Sequence, residues 1–326
     1  AGSGANMNEY ELIRQIAARF PRAAAQVNDL FTADAELVRL ADGLWAFTTD
    51  EFSAEEDGFT AADPVALGAN LAVATLHDLF AVGAMPAFFL SALVLPRSQP
   101  EGFATGLAEG LAGILAACGC RHLGGDLGSG TDWRFTGTAF GPVAGEGFSR
   151  RFTVAEAELW VSGPLGDANV ALLAGWPTPR FELRLDLARR LVGHAVACID
   201  TSGGLLDSLQ MLARVNPAHR LEIEWSRIPL ADTVVPVAQR AGLPAAAALV
   251  AGAGEYELVF GIRPDDPLRL ELAESGARRI GTCQRSDRPG LWVAGQPAPV
   301  CPDPRAFPTR QAYLAAVVQT VLNMED

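Results

Sequence analysis

Five aspartates lie beside apolar segments of the chain, and acidic side chains brought together in this way would bind a cation. They are Asp34, Asp50, Asp78, Asp126 and Asp200. A single aspartate at the end of an apolar strand is typical of a cap or a turn. If the five converge in one groove, their repulsion must be relieved by cations, and ligand sets made only of oxygen atoms favour Mg²⁺. The residues therefore predict a magnesium site whose remaining ligands are water and nucleotide phosphates.

The segment around Asp200 indicates what such an acid would do. Residues 197–212 read "ACIDTSGGLLDSLQML", which predicts a buried strand, a turn and an amphipathic helix capped by Ser202. An ordinary strand-to-helix turn explains the two glycines. A phosphate site explains them as well, because the free N–H groups and the dipole at a helix start favour an anion. In the second interpretation, Asp200 binds a metal ion that also contacts the phosphate.

Positive charge for phosphate binding must come from arginine. All 25 basic residues are arginines, which excludes a P-loop lysine and a lysine Schiff base. Arg150 and Arg151 are the candidates for this role. Gly124 and Gly125 would allow the backbone to approach a ligand closely beside Asp126.

A general base is harder to identify in this sequence. His77 precedes Asp78 and is the best candidate for proton transfer. A structural histidine with its hydrogen bonds satisfied explains the same position about as well. We keep both interpretations.

The elements that must position these residues follow a regular order in the N-terminal half. The pattern predicts a hairpin over residues 36–49 and strands for "AFFLSALVLP" and "WRFTGTAFGPV". Amphipathic or apolar periodicity predicts helices over residues 9–20, 64–82 and 103–118. Residues 1–6 read as an expression remnant ahead of Met7.

The pattern breaks around "GEGFSRRFTVAEAE", where we place a domain boundary between residues 148 and 149. The second half, residues 149–326, again mixes strands with helices, and its predicted strands include "AVACID" and "GAGEYELVFGI". Each half is therefore predicted as α+β, with helices covering one face of a mostly antiparallel sheet. The domains expected are residues 7–148 and 149–326.

Composition excludes several classes of protein. The net charge of −13 is spread along 326 residues, which argues against nucleic acid and anionic membranes as partners. The apolar stretches are too short to cross a bilayer. Five cysteines without disulfide spacing indicate a reducing compartment, so we expect a cytoplasmic protein.

Several motifs resemble those of the thiamine-monophosphate kinases. This family belongs to the wider superfamily of aminoimidazole ribonucleotide (AIR) synthetase, selenophosphate synthetase and a hydrogenase maturation factor. The resembling segments span nearly the whole chain and read "FTTD" (47–50), "HDLFAVGAMP" (77–86), "LGGDLGSG" (123–130), "SGPLGDANVALL" (162–173), "CIDTSGGLLDSL" (198–209) and "GAGEYELVF" (252–260).

The resemblance implies a two-domain PurM-like fold, in which the N-terminal mixed sheet forms a dimer barrel and the C-terminal domain is an α/β sandwich. It implies a homodimer that binds ATP and Mg²⁺. By position, the five aspartates match metal ligands, the 124–126 segment and Ser202 match nucleotide contacts, and Arg150 or Arg151 matches a phosphate-binding arginine. The positions expected to contact the acceptor substrate are Asp57, Glu255 and Phe307.

The sequence also departs from the family's pattern. Acids of the family are replaced by Ala35, Gly203 and Gly254, and the histidine expected after "TTD" falls near Asp57 or Gly58. The loss of two metal acids weakens a site for several metal ions. The loss of the histidine and of the acid at position 254 argues against thiamine monophosphate as the acceptor.

These features favour a Mg²⁺-dependent enzyme that transfers a phosphoryl group from ATP to a small acceptor. A synthetase-type reaction, in which ATP activates an oxygen for ring closure or dehydration, is the alternative among enzymes. A nucleotide-binding protein without catalytic activity is the alternative outside enzymes. The five retained acids favour catalysis over the last of these.

Overall fold

The computed structural model describes residues 9–59 and 61–325, so the predicted expression remnant lies outside the described residues. Within this part of the chain, residues 36–142 contribute one β-sheet and residues 156–297 contribute a second. Helices pack against both sheets. The predicted α+β class is therefore confirmed.

Among the described residues, the first sheet has five strands and is mixed. Its strands in chain order are β1 (Glu36–Leu40), β2 (Gly43–Ser53), β3 (Phe88–Pro96), β4 (Arg121–Gly130) and β5 (Arg134–Pro142). Their spatial order is β1-β2-β5-β3-β4, and only β3 and β4 run parallel. Strand β4 was not predicted, because four glycines in ten residues give it a low strand propensity.

In the described part of the N-terminal half there are three helices, namely α1 (Glu9–Ala17), α2 (Pro64–Phe80) and α3 (Phe103–Cys118). Helix α1 contacts the second half, because Tyr10 joins its apolar cluster. The Asp63 side chain caps α2 by accepting from the Ala66 N–H at 2.9 Å. A Cβ at Gly110 of α3 would lie 1.9 Å from the Val65 carbonyl oxygen of α2. The two helices therefore cross with backbones in contact, and α2 is almost fully buried.

The second sheet has seven strands in the part of the chain that the structure describes. They are β6 (Glu156–Val161), β7 (Ala195–Asp200), β8 (His219–Ile223), β9 (Leu258–Ile262), β10 (Arg278–Arg285), β11 (Gly290–Val293) and β12 (Gln296–Pro297). The order is β12-β11-β8-β10-β6-β9-β7, antiparallel except for the β8–β11 pair. Its helices are α4 (Asp167–Ala174), α5 (Leu185–Leu191), α6 (Leu205–Val215), α7 (Val234–Ala241), α8 (Ala247–Val250), α9 (Leu268–Glu274) and α10 (Arg310–Glu325).

The strand predicted for "GAGEYELVFGI" is shorter than expected. Strand β9 begins only at Leu258, and the residues before it form a loop in which Tyr256 has a φ of 53°. Positive φ is rare for a residue with a side chain and is incompatible with a continuous strand. The strand prediction failed here because the apolar pattern does not reveal this turn.

One apolar core is shared by the two halves. Leu76 and Phe80 of α2 belong to the same buried cluster as Cys198 of β7 and Phe260 of β9. The last turn of α2 therefore packs near the end of β7. Among the described residues, no helix is both long and apolar enough to cross a membrane.

Candidate metal and phosphate site

Three of the five predicted acids meet in the structure. Asp34 precedes β1, Asp78 lies in the last turn of α2, and Asp200 ends β7. One carboxylate oxygen from each residue lies within 4.8 Å of those of the other two. Segments that are far apart in sequence thus bring three carboxylates together, and such an oxygen donor set suits a divalent cation.

The hydrogen bonds of these acids leave a fully buried oxygen of Asp200 without a partner among the described residues. Thr48 Oγ1 donates to Asp78 Oδ2 at 2.5 Å, and Ser202 Oγ donates to Asp200 Oδ1 at 2.8 Å. Asp200 is 1% exposed, and its Oδ2 has no hydrogen-bond partner among the described residues. A buried oxygen without a partner is costly unless something binds it. This atom therefore fits a metal ligand.

The acids also repel one another. Burial, followed by the charges of Asp34 and Asp57, raises the pKa of Asp50 to about 7. Burial and the charge of Asp34 raise the pKa of Asp200 to about 8, and burial raises that of Asp78 well above its usual value. Asp50 thus belongs to the same electrostatic group as the three clustered acids. A bound cation would offset the repulsion between these carboxylates.

Arg150 is a cation that the chain itself supplies to this group. Its Nη2 and Nε donate to the two carboxylate oxygens of Asp34 at 2.7 and 3.2 Å. Its Nη1 donates to the Phe31 carbonyl oxygen at 3.1 Å. Arg151 instead pairs with Asp29 at 3.2 Å, and its side chain is 56% exposed. Of the two predicted arginines, Arg150 is therefore the one that contacts the acids.

Asp126 does not join the three clustered acids. It lies on β4, an edge strand of the first sheet, opposite Ala92 in the register. A Cβ at Gly125 would lie 1.7 Å from the Ser91 carbonyl oxygen, so glycine is needed for the approach of β4 to β3. Gly124 has a φ of 136°, which also favours glycine. The glycine pair thus has a structural role within the sheet.

The predicted cap of α6 is wrong. The N-cap position is Gly204, with a φ of 82° and no side-chain cap, and Ser202 donates to Asp200 instead. The reason is that the two glycines lengthen the turn, which moves Ser202 away from the start of the helix. A Cβ at Gly203 would lie 2.4 Å from Asp207 Oδ2. The Asp207 carboxylate therefore lies beside the position where the family's acid is missing.

His77 is fully buried. Its Nε2 accepts from the backbone N–H of Arg184 at 3.3 Å, and its ring lies 5.3 Å from that of Phe80. Burial lowers its pKa to about 3, so the ring is neutral at physiological pH. Its buried Nδ1 has no hydrogen-bond partner among the described residues, so His77 is not the fully satisfied histidine expected of a structural role. The enclosed, neutral imidazole nevertheless argues against a general base.

The predicted acceptor residues lie in three separate environments. Asp57 Oδ2 accepts from the Ser53 N–H at 2.6 Å, and burial raises the Asp57 pKa to about 6. The Phe307 ring packs 5.8 Å from Tyr313, whose hydroxyl accepts from the Gly252 N–H. The structure therefore assigns each of these two residues a local partner.

Glu255 holds the start of α4. Its carboxylate accepts from the backbone N–H groups of Ala168 and Asn169 at 3.3 and 2.9 Å, and from Asn169 Nδ2 at 2.7 Å. A Cβ at Gly254 would lie 2.5 Å from the Tyr256 ring. The loop thus excludes a side chain at position 254, because the tyrosine ring occupies that space.

Sequence analysis did not identify three residues that lie near the acids, namely Thr48, Arg184 and Glu257. Thr48 lies two positions before Asp50, so both face the same side of β2, and this spacing was a usable signal. Arg184 forms a bidentate pair with Glu257. Nothing in the local sequence distinguishes Arg184 from the other arginines of its segment.

Comparison with known proteins agrees with the geometry. Residues 32–143 match the family described as AIR synthase related protein, N-terminal domain. A thiamine-monophosphate kinase of Synechococcus elongatus is 31% identical over 245 residues, which cover 67% of this chain and 72% of that protein. The enzyme of the same name from Haemophilus influenzae is 27% identical over 287 residues, covering 82% and 85%.

Solved structures show the same fold. The solved structure of AaThiL complexed with AMPPCP and TMP superposes on this chain with a TM-score of 0.76 at 20% sequence identity. The superposition covers 89% of this chain and 94% of that one. The thiamine-monophosphate kinase of Stenotrophomonas maltophilia has a TM-score of 0.70 at 26% identity, covering 89% and 98%. The chain therefore belongs to the thiamine-monophosphate kinase family, among the AIR synthase-related, PurM-like proteins.

Proposed function

We propose that the protein is a Mg²⁺-dependent enzyme that transfers a phosphoryl group from ATP to a small acceptor. The observation that carries the proposal is the group of three carboxylates, Asp34, Asp78 and Asp200, with the unpartnered buried oxygen of Asp200. Family membership supports ATP as the donor. The relatives are named kinases, which favours phosphoryl transfer over the synthetase alternative.

In this proposal the three acids hold Mg²⁺, and Asp50 adds negative charge beside them. A bound Mg²⁺ supplies neutralisation of the negative charge on the nucleotide's phosphates. Without a cation, Arg150 neutralises Asp34 through two hydrogen bonds, and with Mg²⁺ bound it would be free to stabilise charge on the transferred group. The N–H groups at the start of α6, next to Asp200, would bind a phosphate oxygen.

The acceptor site is proposed to differ from that of a thiamine-monophosphate kinase. Position 254 has no room for a side chain beside Tyr256, and Glu255 already binds the start of α4. Asp57 occupies the region where a histidine is expected and is bonded to Ser53. These residues would therefore offer different partners to the acceptor.

The protein is also proposed to form a homodimer through the outward face of the first sheet. On this face the rings of Phe47 and Phe88 flank that of Phe140, with ring centroids 5.5 Å apart in each pair. Leu90, two residues after Phe88 on β3, is exposed on the same face. Strand β4, with the glycine pair and Asp126, forms the open edge beside them, and we retain these residues as nucleotide contacts. A monomer in light scattering at micromolar concentration would contradict this part of the proposal.

Calorimetry with Mg²⁺ and a non-hydrolysable ATP analogue tests the donor site. Asp200→Asn should abolish Mg²⁺-dependent binding of the analogue or weaken it at least tenfold, since a metal ligand is lost. Asp186→Asn is the matched control, because the Asp186 side chain is 91% exposed on α5. Equal binding by the wild type and Asp200→Asn would remove this residue from the site. A thermal-shift screen of metabolites with the analogue and Mg²⁺ would then search for the acceptor.

A further inference from the structure

A buried polar network joins α2 to the second sheet beside the acids. We propose that Asn70, His77, Arg184 and Glu257 form this network and act as positioning residues that hold Asp78 against Asp200. The inference rests on the proposed function, because it assigns the network to the cation site of that function. It also gives His77 a role other than proton transfer.

On the side of α2, two buried side chains bind the segment of residues 179–184. The Asn70 side chain donates to the Pro179 carbonyl at 2.8 Å and accepts from the Phe181 N–H at 3.0 Å. Two helical turns later, His77 Nε2 accepts from the Arg184 N–H at 3.3 Å. Residues seven apart lie on the same helix face, so α2 holds this segment at two points.

On the side of the second sheet, the Arg184 side chain binds Glu257, the residue immediately before β9. Its Nε and Nη2 donate to the two carboxylate oxygens of Glu257 at 2.7 and 2.5 Å. Ser162 Oγ donates to the same carboxylate. Two hydrogen bonds join the backbone of Glu257 to Thr201. The Glu257 N–H donates to Thr201 Oγ1 at 2.8 Å, and the Thr201 N–H donates to the Glu257 carbonyl oxygen at 2.9 Å.

The ion pair needs space that a glycine provides. A Cβ at Gly163 would lie 2.0 Å from Arg184 Nη2 and 3.0 Å from Glu257 Oε1. The side chains of Arg184 and Glu257 are only 18% and 8% exposed. A buried pair of this kind adds little net stability but is costly to break on one side. It is therefore suited to hold one arrangement of its neighbours.

The two ends of the network lie one residue from two acids. His77 precedes Asp78 on α2, and Thr201 follows Asp200 at the end of β7. The acids belong to different halves of the molecule, so their separation depends on how α2 lies relative to β7. The hydrogen bonds through Arg184 and Glu257 are a polar connection between these two elements. Loss of the network should therefore change the geometry of the cation site.

The test removes both charges of the pair at once, which avoids an unpaired buried charge. We expect Arg184→Met combined with Glu257→Gln to weaken Mn²⁺ binding, measured by electron paramagnetic resonance without nucleotide, by about 10- to 100-fold. The matched control is Arg269→Met combined with Glu158→Gln. That pair is also bidentate, at 2.7 and 2.9 Å, but it lies at the opposite end of the β6–β9 ladder. The control should change the unfolding temperature without changing Mn²⁺ affinity.

A second pair of variants separates positioning from general packing. His77→Leu removes the acceptor for the Arg184 N–H and should weaken Mn²⁺ binding, whereas His77→Gln retains an acceptor and should restore most of the affinity. Wild-type affinity in both the double variant and His77→Leu would overturn the inference while leaving the proposed function intact. A wild-type protein that binds no Mn²⁺ would overturn both.

Discussion

At the scale of single residues, the pairing of Arg150 with Asp34 decides how the acids respond to a cation. The guanidinium neutralises one of three carboxylates that would otherwise bind metal. Charge-assisted hydrogen bonds contribute about 1.5–3 kcal/mol each, so metal must compete with a substantial interaction. Arg150 thus has two alternative partners in the proposed reaction, Asp34 and the nucleotide's phosphates.

Arg150→Met should therefore raise the affinity for Mn²⁺ measured without nucleotide, by about tenfold, while it weakens binding of Mg²⁺ with the ATP analogue. Metal titration and calorimetry measure the two effects separately. Arg151→Met, which changes the exposed neighbour, should alter neither. A drop in Mn²⁺ affinity in Arg150→Met would contradict this competition.

Residues of the acceptor region lead to a second prediction, that thiamine monophosphate is a poor substrate. Two polar partners expected in the family are missing, at position 254 and after "TTD". Each unpaired polar group costs about 1–3 kcal/mol, or roughly ten- to a hundredfold in affinity. Steady-state phosphorylation with Mg²⁺ and ATP measures this directly. Turnover of about one per second at micromolar substrate would show that the departures are tolerated.

At the scale of elements, the position of Asp78 depends on the contact between α2 and α3. Gly110→Ala should destabilise the fold by about 1–3 kcal/mol and weaken Mn²⁺ binding, because its Cβ would collide with the Val65 carbonyl and separate the helices. Gly113→Ala is the control in the same helix, since nothing lies within 4 Å of a Cβ there. It should stabilise the protein by up to about 1 kcal/mol.

Urea denaturation, followed by circular dichroism, measures both variants. Equal stability of Gly110→Ala and the wild type would mean that the helices adjust without separating. Unchanged Mn²⁺ affinity in a destabilised Gly110→Ala variant would show that the last turn of α2 is held independently of α3.

At the scale of the whole molecule, the acids make stability depend on pH. Burial raises the pKa of Asp200 to about 8 and that of Asp50 to about 7, above the ordinary value of 3.8. The folded state therefore binds protons more tightly than the unfolded state. This contribution to stability is fully present below about pH 3.8 and is lost as the pH rises towards 8.

We expect the unfolding temperature of the metal-free protein to fall between pH 5.5 and pH 8, and added Mg²⁺ to raise it more at pH 8 than at pH 6. The reason is that metal binding must displace protons from the acids at the lower pH. Scanning calorimetry at several pH values measures both effects. Asp200→Asn should flatten the dependence, and the same slope in that variant would assign it to other groups.

The sequence by itself determined the α+β class, the family, most of the helices and the identity of the three acids that meet. These features follow from local hydrophobic periodicity and from short motifs, which neighbouring residues encode. Strand β4 was missed and the Ser202 cap was predicted wrongly, because glycines obscure strand patterns and permit several turns. Local signals thus identify elements better than their exact ends.

Only the tertiary structure decided which side chains meet. It separates Asp126 from the three clustered acids, selects Arg150 over Arg151 as their partner, and pairs Arg184 with Glu257 across 73 positions of sequence. Such contacts depend on how α2 packs against the second sheet, which no local pattern encodes. The physical reason is that a carboxylate's partners are set by distances of a few ångströms between distant segments, and packing of the shared core fixes those distances.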